Sequence, residues 1–233
     1  MDERGKQDFQ ATYGLFKDYA TPQLAAKHMR RLDAQFWTPA ACTADMAVLE
    51  VGCGTGLFLA YLHEKGVADF LGIDRDAALS AHVPAVVAGN FRAVDVWEFL
   101  DAGAEGRTFD RIALFDVLEH FLPADGARLL ERLVAVLRPG GRMVIKVPNM
   151  ASPWGATYQY GDLTHAAAYT PDSLRQLAVA AGWRVSAVHS LDEGSPLRRM
   201  TDGLLHRVLS RLLLTPPEIW SANFLAVLER REG

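Results

Sequence analysis

The chain has 233 residues, half of them hydrophobic and 22% charged, which suits one well-buried soluble domain and is short for two. A formal net charge of −4 excludes an overall positive field that would gather nucleic acid or anionic lipid. The two cysteines, Cys42 and Cys53, are too few for a disulfide framework and suit a reducing cytoplasm.

Residues 1–10 are polar rather than a secretion leader, and no uncharged apolar run approaches the roughly 20 residues of a membrane-spanning helix. Residues 1–45 mix aromatics (Tyr13, Phe16, Tyr19, Phe36, Trp37) with charges and read as a helical cover. From residue 46 to the end, short apolar runs alternate with amphipathic segments. Strands are expected at 47–51, 70–74, 91–95, 111–115 and 142–147, with late strands at 183–189 and 223–229. Helices are expected at 57–65, at 124–137 (stopped by Pro139-Gly140) and at 171–181, where Thr170 caps, Pro171 opens and Gly182 ends the helix. This alternation predicts an α/β fold with a mostly parallel sheet covered on both faces, and the two late strands suit an antiparallel edge. Ligands of such sheets bind beyond the carboxyl ends of the strands, where the strand order switches.

Those ends carry the informative residues. The first strand runs into Glu50-Val51-Gly52-Cys53-Gly54-Thr55-Gly56, a glycine-rich turn in which a ligand can approach the backbone. A dinucleotide fingerprint needs glycine where Leu57 stands, and no lysine follows as a triphosphate-binding loop requires. An acid at Glu50 suits a cationic ligand better than a pyrophosphate. Asp74, about 20 residues on, is placed to accept from ribose hydroxyls. Asp95 with the Val96 N–H offers an acceptor and a donor to an adenine edge. The fourth strand ends in Phe115-Asp116-Val117-Leu118-Glu119-His120.

The segment 48–56 resembles motif I of the class I S-adenosylmethionine methyltransferases, and 109–120 and 137–141 resemble that family's fourth-strand motif and the turn before its fifth strand. The resemblance covers residues 46 to 229. It implies a Rossmann-like seven-stranded sheet with a reversed last strand and S-adenosylmethionine as cofactor. It further implies Glu50, Gly52, Cys53, Gly54 and Gly56 around the amino-acid end, Asp74 and the adjacent Arg75 at the ribose, and Asp95 with Val96 on adenine. Phe115 and Val117 would border the sulfonium and adenine, with Tyr13 and Tyr19 of the cover as further candidates.

For the acceptor, the fourth-strand end lacks the Pro-Pro-aromatic turn of enzymes that methylate nucleobase amino groups. Residues 148–170 form a long segment rich in aromatics (Trp154, Tyr158, Tyr160, Tyr169), and such loops are usually functional. Gly161-Asp162-Leu163-Thr164-His165 and the run from Tyr169 to Leu174 resemble O-methyltransferases of the ubiquinone-biosynthesis-like and glycan-modifying branch. The expected acceptor is therefore a hydroxyl of a small molecule or surface-polysaccharide sugar, with no nucleic-acid partner. A hydroxyl acceptor benefits from a base near neutral pKa, so His165 and His120 are catalytic candidates, with Asp162 orienting His165. Alignment alone also suffices in many such enzymes.

Residues 191–221 separate the two late strands. There Leu204, Leu205, Val208, Leu209, Leu212 and Leu213 recur at helical spacing beside Arg198, Arg199, Arg207 and Arg211. A stripe of this kind suits the active site, a second subunit of a homodimer, or a membrane surface contacted through 198–214. Two other readings stay open at this point: a nicotinamide-dependent oxidoreductase, disfavoured by Leu57 and Glu50, and a non-catalytic methyltransferase-like subunit.

Overall fold

The structure, a computed structural model, describes residues 19–191 and 194–231. Seven strands form one sheet: β1 (Ala47–Val51), β2 (Asp69–Asp74), β3 (Phe91–Ala93), β4 (Phe109–Phe115), β5 (Leu137–Pro148), β6 (Trp183–Ser190) and β7 (Asn223–Arg230). Their order is β3-β2-β1-β4-β5-β7-β6. The chain builds outward from β1 to β3, then returns to the other side of β1 with β4, so the switch in strand order lies between β1 and β4. β1 is buried at all five positions, as its unbroken apolar run around Glu50 requires for the central strand of a doubly covered sheet.

β7 pairs antiparallel with both β5 and β6, so β6 runs in the same direction as β1 to β5. The two late strands thus form the expected antiparallel edge, with the reversed β7 one place in and β6 outermost. The side chains give the reason. Phe224 to Leu228 are buried without interruption, which needs neighbours on both sides, whereas β6 alternates polar and apolar residues and exposes Arg184, Ser186, His189 and Ser190.

Helices cover both faces. On one lie α1 (Ala26–Leu32), a π-helical turn (Asp33–Trp37) and α2 (Leu57–Glu64), burying Leu32, Phe36, Phe58 and Leu62. The part of the cover from residue 19 onward is tied to the sheet by the buried Arg111, whose guanidinium donates to the carbonyls of Ala40 (2.6 Å) and Ala41 (3.1 Å). The other face carries α3 (Val96–Asp101), α4 (Pro123–Val136) and α6 (Pro171–Ala180), packed around Leu130, Leu133, Leu174 and Trp183. α3 was not foreseen: it is one and a half turns long, and Asp95, expected at the end of β3, is its N-cap. Two further helices follow β5 and β6, α5 (Ala156–Tyr160) and α7 (Pro196–Leu212). Among the described residues, no helix is long and apolar enough to cross a membrane.

Trp183 is fully buried at the start of β6, and its indole N–H donates to the Leu130 carbonyl at 2.9 Å. Trp183→Ala should therefore lower stability by about 3–5 kcal/mol, the range for truncating a buried large aromatic. Urea unfolding followed by circular dichroism checks this; a shift under about 1 kcal/mol would mean the site collapses around the loss.

Candidate active site

The turn after β1 and the turn after β4 meet at the switch point. Gly52, Gly54 and Gly56 all take left-handed backbone angles, with φ of 73°, 54° and 79°. A Cβ on Gly52 would sit 2.5 Å from Val117 Cγ2, so only glycine lets the β4 turn close on the β1 turn. Gly54 differs: a Cβ there would meet no protein atom within 4 Å. Its bare backbone thus faces open space, a concavity suited to a ligand. Gly56 caps α2 without a side-chain hydrogen bond, so the first turn of that helix has no intrinsic cap.

Around this concavity the predicted cofactor residues take distinct roles. Asp74 accepts from the Gly54 N–H (2.9 Å) and the Asp76 N–H (3.0 Å), which fixes the carboxylate beside the turn. Asp95 accepts from the Trp97 N–H (2.8 Å) through one oxygen, leaving the other for a ligand, and Val96 is buried next to it. Glu50 is buried, and its Oε2 has no hydrogen-bond partner. Burial first, then the Asp74 charge, hold its carboxyl well above the usual carboxylate range. A buried acid with an open oxygen, on the strand that leads into this open turn, fits the ammonium of an amino-acid ligand. Cys53 contributes only backbone: its side chain is buried in the core, and burial pushes the thiol pKa far up.

Phe115 packs edge-to-face on Phe58 (5.3 Å) and Phe36 (6.2 Å), in the core beneath the cover. Arg75 is exposed, and its charge reaches His120. Tyr19 is half-buried, 6.2 Å from the His82 ring in the segment that follows β2. Tyr13 lies outside the described residues.

The segment after β5 brings the two predicted histidines together. Their rings meet edge-to-face, 4.7 Å between centroids. His165 Nδ1 lies 3.0 Å from the Gln159 carbonyl oxygen. A carbonyl only accepts, so Nδ1 carries the hydrogen and Nε2 the lone pair. The Thr164 hydroxyl donates to Asp162 (2.6 Å) and stands 3.0 Å from His120 Nδ1. That hydroxyl has one hydrogen, so His120 Nδ1 donates to it and His120 Nε2 is likewise left with its lone pair. Asp162, expected to orient His165, also acts on the other ring of the pair. The two-residue step from Asp162 to Thr164 closes a turn that aims the carboxylate at Thr164, and through it at His120. Burial, then the neighbouring His165, lower the His120 pKa, which keeps that ring neutral at neutral pH.

Four participants escaped the sequence reading. Thr164 and the Gln159 carbonyl set the tautomers, and the Asx-turn spacing of Asp162 and Thr164 was the available signal for the first. Lys146, on β5, pairs with Asp116, which holds a left-handed backbone (φ 57°) at the end of β4. Glu119 is fully buried with neither carboxyl oxygen partnered. Burial and then Asp116 raise its pKa to about 8, so it is protonated at neutral pH. Its backbone carbonyl accepts from Ala166 (2.8 Å) and Ala167 (3.0 Å), tying the His165 segment to the β4 turn.

A family model described as a methyltransferase domain matches residues 20–188. Among curated relatives, a probable S-adenosylmethionine-dependent methyltransferase of Mycolicibacterium smegmatis is 31% identical over 132 residues, 55% of this chain and 49% of that protein. A ubiquinone biosynthesis O-methyltransferase of Nitrobacter winogradskyi is 33% identical over 113 residues, 46% of this chain and 41% of that protein. The chain thus spans about half the length of the curated relatives it matches. A solved SAM-dependent methyltransferase from Archaeoglobus fulgidus shares the fold at a TM-score of 0.62 and 20% identity, over 87% of this chain and 92% of that one. With motif I at the switch point, a seven-stranded sheet with β7 reversed and a family match across most of its length, the chain belongs to the class I S-adenosylmethionine-dependent methyltransferases.

Proposed function

We propose that this protein transfers a methyl group from S-adenosylmethionine to a hydroxyl of a small molecule or sugar, with His165 taking the hydroxyl proton. The observation that carries this reading is the imidazole pair, in which both Nδ1 hydrogens are fixed on acceptors and both Nε2 lone pairs remain available beyond the ends of β4 and β5. The bound cofactor supplies an electrophilic methyl group; the chain's own residues hold it and manage the acceptor's proton. Glu50 and the Gly54 backbone would hold the amino-acid end, Asp74 the ribose, and Asp95 with Val96 the adenine.

Two imidazoles this close repel if both are charged. His120, the ring kept neutral by burial, leaves His165 to receive the proton, and the Gln159 carbonyl stabilises the resulting imidazolium through Nδ1–H. Trp154, Tyr158 and Tyr160 are exposed on the same segment, offering faces on which a ring or sugar can stack. The ubiquinone O-methyltransferase relatives support an oxygen acceptor, and surface-polysaccharide sugars are the glycan acceptors we favour.

Gly54→Val should abolish S-adenosylhomocysteine binding, because the side chain fills the open space over the turn, and Asp74→Ala should weaken it by about 1–3 kcal/mol. Calorimetry measures both; unchanged affinity in the two variants would remove the concavity from the cofactor site. The Glu50 carboxyl gives a pH test. Its pKa is raised in the free protein, and a bound ammonium favours the ionised form, so binding should release a proton and affinity should weaken as pH falls through the raised value. Calorimetry in buffers of different ionisation enthalpy reads that proton, and Glu50→Gln should eliminate it.

For the base, His165→Ala should lower turnover roughly 10²–10⁴-fold with cofactor affinity unchanged. Wild-type turnover should fall on acidification, as the imidazole pair takes up a proton. An acceptor screen with labelled methyl donor supplies the assay. Methylation of a hydroxyl acceptor at full rate by His165→Ala would leave alignment alone as the mechanism.

A further inference from the structure

Helix α7 is turned inside out relative to an ordinary surface helix. Its polar side faces the protein. The Trp154 indole N–H donates to His206 Nε2 (3.2 Å), the His206 ring stacks on Trp220 (5.0 Å between centroids, 6° between planes), and the Trp220 indole donates to Ser210 Oγ (2.9 Å). His206 and Ser210 are four residues apart and share one face.

Its apolar side faces out. Leu197, Met200, Leu204, Leu205, Val208 and Leu212 lie along the opposite sector, Met200 65% exposed, Leu204 60% and Leu212 75%. Of the stripe expected to cover something, Leu209 is half-buried, while Leu204, Leu205, Val208, Leu212 and Leu213 stay exposed. An outward leucine face of this length marks an interaction surface.

The charges choose the partner. The chain as a whole is acidic, at −4, yet this helix carries Arg198, Arg199, Arg207 and Arg211 against one acid, Asp202. At helical spacing Arg207 and Arg211 run along one edge of the apolar sector and Arg198 along the other. A surface notch of about 390 Å³ on this helix is lined by Met200, Gly203 and Leu204 together with Arg199 and Arg207. An apolar face edged by guanidinium groups is the pattern of a helix lying in a bilayer interface, leucines among acyl chains and arginines at anionic headgroups. A symmetric copy of the same helix would set these arginines near one another instead.

We infer that α7 docks this protein on an anionic membrane surface. Trp154 joins the helix to the segment that carries His165, so the docked protein holds its acceptor side next to the lipid, where a membrane-resident or lipid-linked hydroxyl compound is within reach.

Vesicle flotation with the full chain tests this, using phosphatidylcholine vesicles with and without phosphatidylglycerol, at low and high salt. The wild type should float with the anionic vesicles at low salt and be released by salt. Leu204→Glu with Val208→Glu, and separately Arg207→Gln with Arg211→Gln, should each weaken binding roughly tenfold or more while S-adenosylhomocysteine affinity and the circular dichroism spectrum stay unchanged. Should the apolar pair of changes disturb folding, the arginine pair decides alone. Failure of the wild type to float at low salt overturns the inference. So does equal flotation of wild type and folded variants, or a fall in solution mass on the leucine changes with flotation intact, which would assign the face to a second copy.

Discussion

The site rests on one close approach, that of Val117 to the bare Cα of Gly52. β1 and β4 are neighbours only because the chain reverses its order of building at this point, and their carboxyl-end turns must share the space above the sheet. Any Cβ at Gly52 would force the β4 turn away. That would move Asp116, Glu119 and His120 together, since all three lie within three residues of Val117. Gly52 and Cys53 also donate their N–H groups to the Ile73 carbonyl (2.8 and 3.0 Å), so the same turn positions Asp74 at the end of β2. One contact thus aligns three strand ends, and the cofactor and acceptor halves keep a fixed relation.

Much of this was legible because its signals are local. The glycine turn declares itself by the residues it needs, and the central strand β1 by its apolar run around Glu50. Asp74 and Asp95 could be placed by their position after strands, before any contact was known. What was not legible depends on distance partners. Nothing in His165 or His120 alone says which nitrogen carries the hydrogen; that follows from the Gln159 carbonyl and from Thr164, brought up by the fold. The place of β7 inside the sheet is a matter of pairing, although its buried run against the alternating pattern of β6 held the clue. For α7, periodicity showed that an apolar stripe exists. It could not show which way the stripe faces, because that is decided by Trp154 and Trp220, which lie outside the helix.

The electrostatics of the site divide along the same line as its chemistry. On the cofactor side, Glu50 is buried with one oxygen open, a group whose ionisation waits for a cation. On the acceptor side, Glu119 is buried and neutral near pH 7, and His120 is neutral for the same reason of desolvation. Lys146, beside both Glu50 and Glu119, has its direct partner in Asp116. Near the histidine pair the buried Glu119 carboxyl and the buried His120 ring are thus both neutral, while Asp116 and Lys146 pair with each other.

In the proposed function the segment 149–170 carries the acceptor side, and how firmly it is anchored decides how selective that side can be. Asn149 is fully buried and donates to the carbonyls of Ile219 (2.8 Å) and Ser221 (3.0 Å), while Ser152 donates to that of Trp220 (2.6 Å). At the far end, Met150 donates to Tyr169, and Ala166 and Ala167 donate to Glu119. Both ends are therefore anchored, one to the segment between α7 and β7 and the other to the β4 turn. Between them Tyr158, Tyr160 and Leu163 stay exposed. Side chains on such a frame can differ without moving His165, because its Nδ1 is held by a backbone carbonyl rather than by any side chain that acceptor recognition would change. In the proposed function the base is thereby separated from the recognition surface. Since Trp154 on this frame also meets His206 of α7, whatever holds α7 in place bears on the recognition surface before it bears on the chemistry.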